Sequence, residues 1–166
     1  MGERGLMPRP LTAESFAPYG EVVTSAGRAG RRINAGTSVR VEMSEPDVLA
    51  EGGTPSLSVF RASARRLPVD VRELERHRLG SQTFLPLGRT AFVAVVALGD
   101  PAPDPETLAA FYSDGRVGIT IRRGVWHHAL LSLEDGDYAV IERRGVHVDC
   151  DVVELARPER LHAALA

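Results

Sequence analysis

The chain has 166 residues (17.9 kDa) and an ordinary globular composition, 43% hydrophobic and 25% charged, so we expect one domain spanning residues 1–166. Its 20 basic and 22 acidic residues give a net charge of −2, which argues against a surface for nucleic acid or anionic membranes. Lysine is absent, which excludes Schiff-base and P-loop lysine chemistry, and the single cysteine, Cys150, excludes an internal disulfide.

The first half of the chain is predicted to form a short helix, two loops and short strands. Thr12 is a suitable N-cap for a helix from Ala13 to Phe16, because its hydroxyl can accept a hydrogen bond from the first turn. Residues 25–36 show no period and predict a mobile loop, and residues 45–55 predict a second loop with a Gly-Gly tip. Alternating apolar and polar residues predict strands at 57–61 and 69–72.

The second half contains the strongest strand signal and one further helix signal. The continuous apolar run Ala91–Leu98 predicts a strand buried on both faces. Asp104 as N-cap, Pro105 at the first helical position and Gly115 as the stop predict a helix between them. Turns containing glycine separate four more predicted strands, at residues 117–122, 126–133, 137–142 and 145–153.

This succession of short strands determines the predicted fold class. Strands at roughly 8–12-residue spacing, with one or two short helices, are typical of an antiparallel β-barrel or sandwich. No internal repeat or linker divides the chain. We therefore expect a mainly β single domain.

Location follows from two further observations. No apolar run approaches the roughly 20 residues that span a bilayer. The first residues, Met1–Arg4, lack the basic-then-apolar order of a signal peptide. We expect a cytoplasmic protein without a membrane partner.

One candidate cluster lies in residues 73–86. Glu75 and His77 share one face of a predicted strand because side chains alternate along a strand. If the chain turns at Leu79-Gly80 and returns as a hairpin, Gln82 and Phe84 join the same concave face. The cluster would combine a carboxylate, an imidazole and an amide. The alternative is an edge hairpin whose charged face is merely solvated.

A second segment, Arg122-x-Gly124-x-x-His127-His128, carries two more histidines. On a strand they face opposite sides, so at most one joins a given site. Trp126 faces opposite to His127 and is predicted to pack in the core. His128 either supports the strand or reaches the pocket.

The remaining chemistry-bearing residues receive simpler predictions. His147, on a predicted strand, and His162, near the end of the chain, are expected at the surface. Cys150 is expected to be a buried small hydrophobic residue. Asp149 and Asp151 are expected on the solvated face of the last strand.

The two histidine segments resemble the metal-binding motifs of cupins, small β-barrels in which H-x-H-x(3,4)-E and P-x-G-x-x-H converge on a metal. The strings here are Glu75-x-His77-x4-Gln82 and Arg122-x-Gly124-x-x-His127. The strings E-R-H-x-L-G-S-Q (residues 75–82) and G-V-W-H-H (residues 124–128) are similar to the ureidoglycolate lyase family. That similarity continues in order over nearly the whole chain.

The resemblance implies a homodimeric cupin enzyme that cleaves ureidoglycolate to glyoxylate and urea by acid–base chemistry. A divalent metal, nickel or another, is associated with some members, and no organic cofactor is implied. The implied catalytic residues are Glu75, His77 and His127. The implied substrate contacts are Arg61, Gln82, Phe84 and His128, and the implied metal ligands are His77, Gln82 and His127.

The chain departs from the usual family pattern at several positions, which bear on the identity of the substrate more than on the fold. They are Arg78 and Ala129 (where proline is usual), Ile119–Ile121, and Glu142 and Asp149 (where Asp and Asn are expected). One alternative is a paralogue acting on another small hydroxy- or ureido-acid. Another is a cupin that only binds such a molecule. A third is an iron oxygenase that uses the carboxylate and two imidazoles as a facial triad.

Overall fold

The computed structural model describes residues 5–163, and within them the chain forms one α-helix, three 3₁₀ turns and fourteen strands. The helix is α1 (Ala13–Phe16), and the 3₁₀ turns are Asn34–Gly36, Ala50–Gly52 and Pro105–Thr107. The strands are β1 (Arg9–Pro10), β2 (Gly20–Val23), β3 (Arg31–Ile33), β4 (Ser38–Arg40), β5 (Thr54–Ala62), β6 (Val69–Arg76), β7 (Gln82–Pro86), β8 (Phe92–Ala97), β9 (Ala109–Ser113), β10 (Gly118–Ile121), β11 (Trp126–His127), β12 (Leu131–Ser132), β13 (Gly136–Arg144) and β14 (Asp151–Leu161).

Two sheets contain most of these strands. A seven-stranded sheet has the order β1-β9-β8-β11-β6-β14, with β12 also pairing β8, and a five-stranded sheet has the order β2-β10-β7-β13-β5. Pairing along these orders is antiparallel except between β1 and β9. The predicted mainly β fold, an antiparallel barrel or sandwich with few short helices, is confirmed. No helix in residues 5–163 is long and apolar enough to cross a membrane.

Strand β8 is buried on both faces, as predicted, and separates two apolar clusters. Phe92, Ala94 and Val96 face the space between the sheets, where side chains from both sheets meet. Val93, Val95 and Ala97 face the other side, where they pack with residues of their own sheet, among them Val71, Leu74, Trp126 and Leu161. Apolar packing on both of its faces therefore stabilises the seven-stranded sheet at β8.

The helix predicted between Asp104 and Gly115 is wrong. Asp104 does cap a turn, accepting the N–H of Glu106, but only Pro105–Thr107 is helical, as a 3₁₀ turn. The following residues form β9 along β8, and Ala110 and Phe111 face the two opposite clusters as strand neighbours do. Pairing with β8 and burial of both faces of β9 in the two apolar clusters outweigh the local helix signals.

Four other boundaries differ from the sequence prediction. The predicted loop at 25–36 contains β3 and a 3₁₀ turn, and the loop at 45–55 contains a second 3₁₀ turn and the start of β5. The strand predicted at 126–133 is split into β11 and β12, and the one predicted at 145–153 begins only at Asp151. The N-cap at Thr12 is confirmed, because its side chain accepts the Ser15 N–H at 3.1 Å.

The hairpin predicted for residues 73–86 is also wrong. Strand β6 lies between β11 and β14 in the seven-stranded sheet, and β7 lies between β10 and β13 in the other sheet. The chain crosses between the sheets just before Ser81, whose N–H donates to the Asp47 carbonyl at 2.8 Å. Glu75 and Gln82 therefore belong to opposite walls of one cavity.

The free energy of unfolding of two variants tests whether residues 109–113 form a strand. Phe111 is fully buried and contacts the rings of Phe16 and Tyr19 edge-on, whereas its neighbour Tyr112 is 37% exposed. Replacing Phe111 with Ala is expected to lower the free energy of unfolding by about 3–5 kcal/mol. Urea denaturation measures this, with Tyr112→Ala as the control that costs much less. Equal losses of unfolding free energy in the two variants would contradict the assignment of this segment as a strand.

Candidate active site

Glu75, His77 and His127 converge between the two sheets. His127 on β11 pairs in register with Glu75 on β6, and one candidate ligand atom from each of the three residues lies within 4.8 Å of the others. His127 Nε2 is 3.5 Å from Glu75 Oε1, and the two imidazole rings are 5.3 Å apart between centroids. The structure thus brings together the three residues that the sequence predicts as catalytic, and their catalytic role stays a prediction.

A backbone carbonyl orients each imidazole. His127 Nδ1 lies 3.1 Å from the Val125 oxygen, and His77 Nδ1 lies 2.5 Å from the Asp149 oxygen. A neutral ring that donates from Nδ1 carries its lone pair on Nε2. Both Nε2 atoms are buried and have no hydrogen-bond partner among the described residues. Two buried acceptors beside a carboxylate are suited to hold a proton or a cation.

Glu75 supplies the negative charge of the cluster. The His127 imidazole, followed by the charge of His77 and the Cys150 thiol, holds the pKa of the Glu75 carboxyl below its ordinary value, although burial opposes this. The 3.5 Å separation exceeds a normal hydrogen bond, so the contact with His127 is mainly electrostatic. Glu75 is therefore ionised at neutral pH.

Cys150 is not the buried hydrophobic residue that the sequence predicts. It is half-buried, and its Sγ is 3.7 Å from Glu75 Oε2 as a weak donor. Burial, together with the neighbouring Glu75 charge, raises the pKa of this thiol. The thiol therefore stays protonated and supports the carboxylate.

A cavity of about 370 Å³ opens onto Glu75. Three of the four predicted substrate contacts, Arg61, Gln82 and Phe84, line it as well. Arg61 lies at the edge of the cavity, with its side chain 90% exposed and Nε 3.7 Å from Asp137 Oδ1. The cavity is large enough and polar enough at one wall to admit a small acid.

Gln82 lies in this cavity with its amide nitrogen already engaged. Its Nε2 donates to Glu142 Oε2 at 2.7 Å, and its Oε1 is buried with no partner in the described part of the chain. The oxygen is thus the group available to a ligand. His128, the fourth predicted contact, is not among the described residues that line the cavity. It is half-buried beside Leu130, with Nδ1 2.8 Å from the Ala129 oxygen.

Sequence reasoning missed Arg76, which supports the site from the opposite face of β6. It is 3% exposed, pairs with Asp100 Oδ1 at 2.9 Å and Asp151 Oδ2 at 3.0 Å, and lies over the Trp126 ring at 4.3 Å. The available signal was its spacing, two positions after Leu74, which packs in the apolar cluster behind the sheet. Trp126 packs in the core, as predicted.

The remaining predictions give mixed outcomes. Asp149 and Asp151 are not a solvated strand face, because Asp151 binds arginine side chains and Asp149 binds backbone N–H groups. His147 is exposed as predicted, but it lies in the connection before β14 and not on a strand. His162 is half-buried, and its backbone N–H donates to the Leu6 carbonyl.

Comparison with known proteins gives consistent matches along the chain. A family model described as ureidoglycolate lyase matches residues 3–162. The protein named ureidoglycolate lyase from Pseudomonas entomophila (strain L48) is 43% identical over 155 residues, covering 89% of this chain and 90% of the relative. Its namesake from Pseudomonas fluorescens (strain SBW25) is 43% identical over 166 residues, covering 95% and 96%. A protein of the same name from Burkholderia cepacia is 40% identical over 147 residues, covering 87% and 83%.

Proposed function

We propose that the chain, which belongs to the ureidoglycolate lyase family, cleaves ureidoglycolate to glyoxylate and urea. The observation that carries this proposal is the convergence of Glu75, His77 and His127 beside a cavity lined by predicted substrate contacts, with two Nε2 atoms that have no hydrogen-bond partner in residues 5–163. A cytoplasmic location stays a prediction.

The reaction needs only proton transfers at two atoms of the substrate. In ureidoglycolate one carbon carries a hydroxyl, a carboxylate and a urea nitrogen. Removing the hydroxyl proton forms the aldehyde C=O as the C–N bond breaks, and the departing nitrogen takes up a proton to leave as urea. Positioned acid–base groups typically accelerate such steps about 10²–10⁴-fold.

The chain's own groups divide this work. One imidazole Nε2 accepts the hydroxyl proton, and the second ring, as imidazolium, protonates the urea nitrogen. The ionised Glu75 carboxylate stabilises the imidazolium across 3.5 Å. Arg61 at the rim binds the substrate carboxylate through its N–H groups, and Gln82 Oε1 accepts from the ureido N–H.

The same residues fit a divalent cation. Two imidazole nitrogens and a carboxylate suit nickel, zinc or cobalt. The Gln82 oxygen, which has no partner in the part of the chain that the structure describes, would make a weak fourth ligand. Such an ion would polarise the substrate hydroxyl and lower its pKa. A set with only two strong nitrogen ligands predicts loose binding.

Glyoxylate release from racemic ureidoglycolate tests the activity directly. His127→Ala should lower kcat/KM by at least about 100-fold, because a proton-transfer group is lost, and should leave the fold intact by circular dichroism. His162→Ala, distant from the cavity, is the control and should retain wild-type turnover. Wild-type turnover in His127→Ala would remove His127 from the mechanism. A wild-type chain that binds the acid without releasing glyoxylate would favour the binding-protein alternative.

Calorimetric titration of the metal-free chain tests the cation site. Nickel or zinc should bind one per chain, and Glu75→Gln should weaken binding at least about tenfold because the only charged ligand is lost. Glu73→Gln, on the same strand, is the matched control. Unchanged affinity in Glu75→Gln would place the ion elsewhere. Tightly held iron with oxygen uptake would favour the oxygenase alternative.

A homodimer is the proposed assembly, and the five-stranded sheet offers the surface for it. Leu57 and Val59 on β5 are exposed on one face, next to Ile141 and Ala139 on β13, while Phe60 points inward against Phe84. The exposed Arg61–Asp137 pair borders this apolar strip, so two copies related by a two-fold axis would present complementary charges at its edge. Contiguous exposed apolar side chains are typical of interfaces.

Sedimentation analysis tests this assembly with two valines of equal exposure. Val59→Glu should shift the chain towards monomer, since a buried carboxylate without a partner opposes association. Val39→Glu, on β4, replaces a residue that is likewise 58% exposed and should leave the mass unchanged. Monomeric wild-type protein, or identical behaviour of both variants, would overturn the proposed surface.

A further inference from the structure

We infer that residues 149–151, here called the strap, position His77 and Glu75, and that Asp149 is the positioning residue that anchors the strap. Only the kinetic part of the test below rests on the proposed function, because the contacts of the strap are defined without a substrate. Asp149, Cys150 and Asp151 each contact a different part of residues 75–79.

Asp149 holds both the His77 ring and the backbone that follows it. Its carbonyl accepts from His77 Nδ1. Its carboxylate accepts two backbone N–H groups, from Arg78 to Oδ1 and from Leu79 to Oδ2, both at 2.8 Å. A single residue therefore closes three hydrogen bonds around the histidine. The imidazole is fixed with Nδ1 protonated and Nε2 turned to the site.

The other two strap residues extend the contact along β6. The Cys150 thiol lies 3.7 Å from Glu75 Oε2. Asp151 starts β14 opposite Arg76 and accepts from its Nε at 3.0 Å, and the same oxygen pairs with Arg78. These two arginines hold the pKa of Asp151 below its ordinary value, Arg78 more strongly than Arg76, so the pairing persists at neutral pH.

The segment that leads into the strap has little else to hold it. Val146 and Val148 are 96% and 92% exposed, and residues 145–150 lie outside the strands. Losing the Asp149 carboxylate would let its carbonyl move away from His77 Nδ1. Either ring nitrogen of His77 would then be able to carry the proton, and Nε2 would no longer always be the acceptor.

Nitrogen-15 NMR of the imidazoles in the metal-free chain, at alkaline pH, reads this tautomer directly. Wild-type His77 should show Nδ1 protonated. Asp149→Ala should give a tautomer mixture, and Asp149→Asn, which keeps one acceptor oxygen, should lie between them. Asp114→Asn is the matched control, because Asp114 also accepts a backbone N–H, from Arg116, away from the site. His127, held by Val125, should keep its shifts in all variants.

Kinetics and metal titration complete the test. Asp149→Ala should lower kcat by about 10–100-fold with little change in KM, and should weaken nickel binding by a similar factor, as is usual when a group that orients a ligand is removed. Asp149→Asn should recover part of both. An unchanged His77 tautomer, or equal losses in Asp149→Ala and Asp114→Asn, would overturn the inference. If the wild type releases no glyoxylate, the proposed function fails, while the tautomer and metal readouts still decide the role of Asp149.

Discussion

The register of β11 against β6 is the constraint on which the site depends. Because neighbouring residues of a strand face opposite sides, one pairing places His127 against Glu75 and sends Trp126 into the apolar cluster behind the sheet. A slip by one residue would exchange the two side chains. The buried indole, covered by Arg76 and bonded to the Gly99 carbonyl, opposes that slip. Core packing on one face thus fixes the chemistry on the other.

The buried polar groups near β6 differ in their hydrogen bonding between the two faces of the sheet. Arg76 is buried and pairs with two acidic residues through Nε and Nη1, while its Nη2 has no partner among the described residues. Within residues 5–163, one buried nitrogen each of His77 and His127 and the buried Oε1 of Gln82 also have no partner. Buried polar atoms without partners cost stability. The two histidine nitrogens and the Gln82 oxygen belong to the two sheets that enclose the site, and such a group of unpaired polar atoms is what a binding site requires and a purely structural core avoids.

Local patterns predicted those parts of the molecule that depend on near neighbours. β8 follows from its apolar run, the Thr12 cap from its hydroxyl, and the separation of His127 from Trp126 from strand alternation, and the family resemblance is confirmed. Prediction failed where a distant strand decided the outcome. Residues after Asp104 carry helix signals but become β9, because β8 offers a ladder and two apolar faces. The supposed hairpin of β6 and β7 separated into two sheets for the same reason.

The sequence by itself determined the fold class, the family and the residue types that carry the chemistry, because these depend on composition, alternation and short strings. Tertiary structure alone decided that Glu75 meets His127 across two strands and that Gln82, from the other sheet, lines the same cavity as Glu75. It also decided that Asp149 fixes the tautomer of His77. The contact between His77 and Asp149 joins residues 72 positions apart, and Glu75 and Gln82 belong to different sheets. No local pattern encodes which strand edges pair, since pairing is decided by the burial of whole faces at once.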